Sequence, residues 1–453
     1  MKQLGHLSKK LLFPVISILL LIWPAIYNGY PLFYADSGSY LLSSIHLEIP
    51  LERPLFYGFF LRITTMQAIM GIAIIVQGII SFWIINKTIE VVFPKIILLV
   101  KYVIFLLLAL ITGLPWYTAQ VMPDLFTALS ALVIFLIFAD PSTRLRTQIL
   151  YHLLLFFMIG THYSNLPITG IIVCGFALVS FKKVWSNQLA YRWKTLSLLS
   201  TIALVAFTHA FTTYVQFGSF RMSRGSNLFL VAKCLETPLL KTYMRENRNN
   251  IAIPFSDKID SLPNNACTFL WSGDSPLNQP GVSKVKMNEA YGPVISDLFS
   301  QSTYRNWFIR ESFNATGKQL LFHKVGSGLV SYADKNGGCY FVVKNHFESE
   351  LNQFTNAKQQ RFGLEDNYHK HISDWVFYLS VIVIIVGIFI THIRKKFGTI
   401  ILLILLGVVA NAFVTASLAN VYDRLEVRVV WLLTFGAILI LMQAFQLLKQ
   451  SKK

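Results

Sequence analysis

Residues 11–40 read LLFPVISILLLIWPAIYNGYPLFYADSGSY, and the fold is decided by where that stretch stops being apolar. Residues 11–28 are almost continuously apolar, close to the ~20 that cross a hydrocarbon core. Lys2, Lys9 and Lys10 precede the run, as they would in a signal peptide. The run nevertheless continues through Ile22-Trp23-Pro24-Ala25-Ile26-Tyr27 without a small-residue cleavage site, so it reads as a retained first span. Just beyond it stands an aspartate, in Tyr34-Ala35-Asp36-Ser37-Gly38-Ser39-Tyr40. A charge at a bilayer edge is costly unless a cavity or partner accommodates it, and such groups persist mainly for function.

Working outward, nine further apolar stretches follow, at 66–85, 97–113, 118–139, 148–163, 165–181, 195–217, 374–393, 399–418 and 427–447. Hydrophobic residues make up 54% of the chain and charged residues only 14%, well below the charged share of soluble domains. The sequence therefore predicts an all-α polytopic membrane protein with about ten spans. An N-terminal module, 1–217, and a C-terminal module, 374–453, flank a hydrophilic insertion, 218–373, between the seventh and eighth spans.

The net charge of +18 raises nucleic acid as a partner, but its distribution excludes it. Nearly half of the 40 lysines and arginines lie in 1–10, 86–95, 140–147, 182–194, 394–396 and 449–453, where Glu90 and Asp140 are the sole acids. These segments alternate with the remaining loops as ten spans require. That places them, and both termini, in the cytoplasm, with anionic membrane lipids as partners. The insertion then faces outward, and its near-balanced charge is unlike a nucleic-acid surface.

Within the insertion, Cys339-Tyr340-Phe341-Val342-Val343 reads as a strand and 290–310 as a helix, giving a small α+β domain. Cys234, Cys267 and Cys339 share that compartment and allow at most one disulfide, its pairing open. Cys174 reads as a small packing residue within a span, and no spacing resembles a zinc site. The first outward segment, 28–65, is long enough for two interfacial helices broken at Pro50 and Pro54, although an ordinary loop also fits.

Asp36 reads as a general base flanked by Tyr34 and Tyr40, with Ser37, Gly38 and Ser39 permitting close approach of a substrate. The same pattern also makes a helix cap or Asx-turn. Asp124, after Pro123 at the start of the fourth span, is either a second carboxylate opposite Asp36 or an acid favoured by the helix dipole. His162, in Gly160-Thr161-His162-Tyr163-Ser164-Asn165, is either a phosphate or acceptor contact or an interfacial residue without a role. Arg221 and Arg224 follow the seventh span, and Arg424 and Arg428 stand between the ninth and tenth, on the side where the positive-inside rule disfavours them. Arg53, in the first outward loop, is a secondary basic candidate. Guanidinium forks suit a lipid-linked phosphate; the alternative is local salt bridging to Asp423 or Glu426.

Asp36 in a long first outward loop, Pro123-Asp124 opening the fourth span, and Tyr422-Asp423-Arg424 through Arg428 before a late span together resemble the GT-C superfamily of membrane glycosyltransferases. Those enzymes use polyprenyl-phosphate sugars. The resemblance covers the seven-span module and the last outward loop. It implies an aspartate of the first outward loop as catalytic base and basic side chains holding the donor phosphate. Those roles fall here on Asp36 and on Arg221, Arg224, Arg424 and Arg428. The acidic doublet usual in that loop is absent, since Ser37 follows Asp36, which leaves a divalent metal without support.

The implied chemistry fits one carboxylate. A polyprenyl phosphate leaves readily once its charge is neutralised, so no general acid is needed, unlike glycoside hydrolysis with its two carboxylates. The base takes the acceptor's proton during attack on the anomeric carbon, inverting the configuration, and arginines stabilise the departing phosphate. The expected acceptor is a glycan, lipid or protein, at the outer face of a bacterial inner membrane. Two rival readings stand beside this one. An O-antigen polymerase or ligase would rely on the arginines and His162. A transporter or flippase of lipid-linked glycans fits less well, because transporters place polar groups near the bilayer midplane on broken helices.

Overall fold

The computed structural model describes residues 2–141, 144–180, 189–247 and 252–451. The basic segments at 1–10, 140–147, 182–194 and 449–453 therefore fall partly outside the described residues. Helix is the regular structure throughout the described residues, and one backbone bridge pairs Leu32 with Gln120.

Helix α1 (Lys2–Asn28) leads into a loop that holds α2 (Ser37–His46) and α3 (Leu55–Thr65). Then come α4 (Met70–Val92), α5 (Leu98–Ile111), the short α6 (Leu114–Thr118), α7 (Leu125–Ala139), α8 (Leu145–Gly160), α9 (Asn165–Val179) and α10 (Leu189–Phe217). The insertion carries α11 (Ser226–Leu235), α12 (Leu239–Asn247), α13 (Ala266–Trp271), α14 (Lys284–Ser300), α15 (Ser302–Gln319), α16 (Gly338–His346), α17 (Leu351–Asn356) and α18 (Lys358–Phe362). The chain closes with α19 (Tyr368–Phe389), α20 (Thr391–Leu418) and α21 (Asp423–Ser451).

A helix occupies each of the ten apolar runs, but among the described residues only α4, α10, α19, α20 and α21 are long and apolar enough to cross a membrane. Helices α5, α7, α8 and α9 have 14 to 16 residues, short of the ~20 a crossing takes. Five helices, rather than ten, have the length and composition of a membrane span among the described residues. The apolar windows had absorbed loop residues: Gly113, Pro115 and Pro123 break the run between α5 and α7 into the short α6 and a turn.

Every residue of α7 from Leu125 to Phe138 is buried, so this helix lies at the centre. Helix α21 is also largely enclosed, with 83% of its most apolar window buried against 22% for α19. The exposed Trp375, Leu379, Ile382 and Phe389 put the open side of α19 on the outside of the bundle. In the first loop, the chain breaks at 47–54 as the prolines predict. Helices α2 and α3 pack so closely that a Cβ on Gly58 would lie 2.6 Å from Ser43 Oγ.

The insertion is not α+β. Cys339, Val342 and Val343 are the buried residues of α16, spaced i, i+3 and i+4 as a helical face requires. A five-residue apolar run does not by itself separate strand from helix, and here the face packs on the main core. The insertion also divides in two. Residues between Leu228 and Tyr304 enclose a second hydrophobic core, whereas Val325 to Ala357 contribute to the main one. All four cysteines are free, and Cys174 is exposed on α9 rather than packed.

Candidate functional site

Loop 29–36 is stitched to the turn that follows α6. Leu32 N donates to Ala119 O at 2.9 Å, Val121 N donates to Leu32 O at 2.8 Å, and Ser37 Oγ donates to Val121 O at 3.0 Å. Beneath it, Gln77 of α4 donates to Thr118 O and Gln120 O and accepts from Tyr57. These bonds bring Asp36, which precedes α2, alongside Asp124, which precedes α7. Both occupy the N-cap position, yet neither side chain makes a capping hydrogen bond. Arginines take their oxygens instead.

Arg424 and Arg428 are four residues apart at the start of α21 and so share one face. Arg424 spans both acids, with Nη1 3.1 Å from Asp36 Oδ2 and Nη2 2.9 Å from Asp124 Oδ2. Arg428 Nη1 lies 3.2 Å from Asp124 Oδ1, and Arg53 Nη2 lies 2.5 Å from Asp36 Oδ1. The result is a linear ion chain, Arg53–Asp36–Arg424–Asp124–Arg428. The alternative of local pairing is not what forms. Asp423 accepts from Lys324 N at 2.8 Å, and Glu426 accepts from Asn411 Nδ2 at 2.9 Å.

The chain has an open and a closed end. The Asp36 side chain is 23% exposed, while Asp124 and Arg428 are 1% and 0% exposed. At the closed end, Arg428 donates from Nε and Nη2 to Asn411 Oδ1 at 3.0 and 2.8 Å. Its Nη2 also donates to Ser164 Oγ at 3.2 Å. Ser164 in turn meets His162, with its backbone N donating to Nδ1 at 3.2 Å and its hydroxyl 2.8 Å from the same nitrogen.

Aromatic rings floor the open end. Arg424 Cζ lies 3.6 Å from the Tyr34 ring centroid and Arg53 Cζ lies 5.2 Å from that of Tyr40. Tyr117 Oη donates to Arg424 O at 2.7 Å, which fixes the first turn of α21. Gly328, at φ +78°, abuts Tyr34 so closely that a Cβ there would lie 1.9 Å from Tyr34 Cε2. Burial acts to raise the Asp36 carboxyl, but Arg53 and Arg424 outweigh it and hold the group below the usual carboxylate value. Arg53 Nε, Arg424 Nε and Tyr40 Oη are buried donors without a partner in the described structure.

Stability does not account for this arrangement. Desolvating five ions costs about as much as their mutual attraction returns, and apolar replacements are often neutral or better. Beside Arg424 lies a cleft lined by Trp116, Tyr117, Gln120, Val325 and Leu329. Val325 also lines an apolar slot between α5, α19 and α21, walled by Ile111, Phe377, Val427 and Trp431. No group of three or more metal-ligating side chains lies together among the described residues.

Of the residues singled out in the sequence, Asp36, Asp124, Arg424, Arg428, Arg53, Tyr34, Tyr40 and His162 come together. Arg221 and Arg224 do not join the chain. Arg221 Nη2 is 3.6 Å from Glu289, and Arg224 stacks on Phe217 at 3.5 Å and donates to Ile49 O at 3.4 Å. Asn411 and Ser164 were missed. Asn411 carried a signal, as an amide inside an otherwise apolar run, where polar groups persist for a reason. No known family model, curated protein or solved structure matches this chain.

Proposed function

We propose that this protein is an integral membrane glycosyltransferase of the GT-C type, acting on the outer face of a bacterial inner membrane. It moves a sugar from a polyprenyl-phosphate donor to an acceptor glycan, lipid or protein. The observation that carries this reading is Arg424, one guanidinium shared between Asp36 and Asp124 beside two buried, unpartnered arginine nitrogens. The cleft at Arg424 shares Val325 with a second, largely apolar slot walled by α5, α19 and α21, which suits a phosphate that carries a lipid tail.

In the resting chain, Asp36 is held by two cations and is a weak base. A donor phosphate competes for Arg53 and Arg424 and so frees the carboxylate beside it. The acceptor hydroxyl then attacks the anomeric carbon as the bond from that carbon to the phosphate oxygen breaks. The hydroxyl proton passes to Asp36, and the bonding pair leaves on the phosphate, where Arg424 meets the new charge. Asp124 and Arg428 keep Arg424 in place.

Native mass spectrometry of the purified protein, followed by a transfer assay with the lipid it carries, tests this reading. A co-isolated polyprenyl-phosphate sugar is expected, with turnover lowered about 10²–10⁴-fold by Asp36→Asn. Absence of such a lipid, or an Asp36→Asn variant with full activity, overturns it. A polymerase relying on arginines and His162 would give the latter result.

A further inference from the structure

His162 sits in the turn between α8 and α9, and its ring has one nitrogen whose role is settled by a backbone group. The Ser164 amide donates to Nδ1. A backbone N–H is an obligatory donor, so Nδ1 accepts and carries no proton. The Ser164 hydroxyl accepts from Arg428 Nη2 and turns its own hydrogen to the same Nδ1, 2.8 Å away. The ring's proton therefore lies on Nε2, for which the described residues supply no acceptor. His162 is only partly buried, and Asp124, Arg428, Arg53 and Arg424 are all near enough to act on it electrostatically.

We infer that His162 is a neutral imidazole locked with its proton on Nε2, and that this N–H donates to a phosphate oxygen of the lipid-linked donor. The contact rests on the transfer reading above; the tautomer does not. A neutral ring also sets the charge of the site. Within the five-membered ion chain, three guanidiniums against two carboxylates leave one net positive charge. A sugar phosphodiester carries one negative charge and balances it. After transfer the acceptor proton rests on Asp36, so the protein side gains one positive charge as the released phosphate gains one negative. Balance holds across the reaction. A pyrophosphate-linked donor would leave uncompensated negative charge in a desolvated site at both stages, so the same arrangement selects a monophosphate donor.

Two measurements test this on the full chain in detergent. The first is nitrogen NMR of ¹⁵N-histidine-labelled protein, with the His162 signal assigned by its loss in His162→Gln. A neutral ring protonated on Nε2, unchanged across the range near 6.5 where free imidazole titrates, is expected. A proton on Nδ1 alone overturns the tautomer and the contact together; a cation, which still carries a proton on Nε2, overturns the neutral ring and the charge balance built on it.

The second is calorimetric binding of farnesyl methyl phosphate, a singly charged diester, compared with farnesyl diphosphate. The diester should bind the wild-type protein more tightly. His162→Gln places an amide N–H where Nε2 stood and should bind the diester within about twofold of wild type, while His162→Asn should bind about tenfold more weakly. The Asn carbonyl still accepts from the Ser164 amide, so loss of the turn does not explain a weak result. An Asn variant that binds like wild type overturns the contact while leaving the transfer reading standing. A wild-type protein that binds neither probe overturns both.

Discussion

Asp36 and Asp124 occupy the same place in their helices, one residue before the first turn, and neither caps it. Their oxygens point to cations instead, Arg53 nearby and Arg424 and Arg428 from the far end of the chain, which gives Asp36 a testable titration. Its folded-state value is depressed, so its stabilising contribution is complete above the unfolded value near 3.8 and drains away as pH falls below that. Melting curves taken in detergent should therefore show a constant gap between wild type and Asp36→Asn at neutral pH, closing only under acid conditions. Gly328→Ala tests the floor beneath Arg424. The left-handed backbone alone costs about 1–2 kcal/mol, and the added methyl collides with Tyr34. A lower melting temperature and weaker farnesyl methyl phosphate binding are expected. Asp36, Arg424 and Arg428 were legible in the sequence because charges at the ends of apolar runs have few ways to be accommodated. Arg221 and Arg224 satisfied the same rule but found Glu289 and Phe217 instead. Position along a chain says nothing about which way a long side chain turns.

Between elements, the site depends on three close approaches. The i, i+4 spacing on α21 aims two guanidiniums at one carboxylate, and Asn411 of α20 holds the inner one from behind. The third approach is α2 against α3 at Gly58, and it sets where Arg53 can stand relative to Asp36. Gly58→Val would push the two helices apart at Ser43 and part Arg53 from Asp36. The expected result is at least a tenfold loss of farnesyl methyl phosphate affinity, read by calorimetry, as for a lost charge-assisted hydrogen bond. The pair of short helices was readable from Pro50 and Pro54. The α16 helix was not, because Cys339, Val342 and Val343 look alike in strand and helix until the surface they cover is known. Tertiary contact supplied that surface.

At the scale of the whole molecule, the described residues pack into two hydrophobic cores, and these should respond differently to injury. Asp124→Asn removes the anion that both Arg424 and Arg428 face, which costs about 3–5 kcal/mol by leaving buried charge uncompensated. Hydrogen exchange followed by mass spectrometry should show faster exchange in α7, α20 and α21, with α11, α12 and α14 unchanged. Equal acceleration in both groups would mean that the cores unfold as one. Hydropathy revealed the apolar elements but not how many helices are long enough to cross, since it measures greasiness and not whether a run breaks at Gly113 or Pro123. Among the ties from the insertion to the ion chain, one is made from both ends of a single side chain. Gln319, the last residue of α15, donates through its amide nitrogen to Tyr422 O at 2.9 Å and accepts through its oxygen from Tyr422 N at 3.0 Å. A side chain gripped at both ends behaves as a rigid link, so α15 cannot be displaced without dragging the residue two places before Arg424. Anything that leans on that helix from outside is mechanically geared to the arginines.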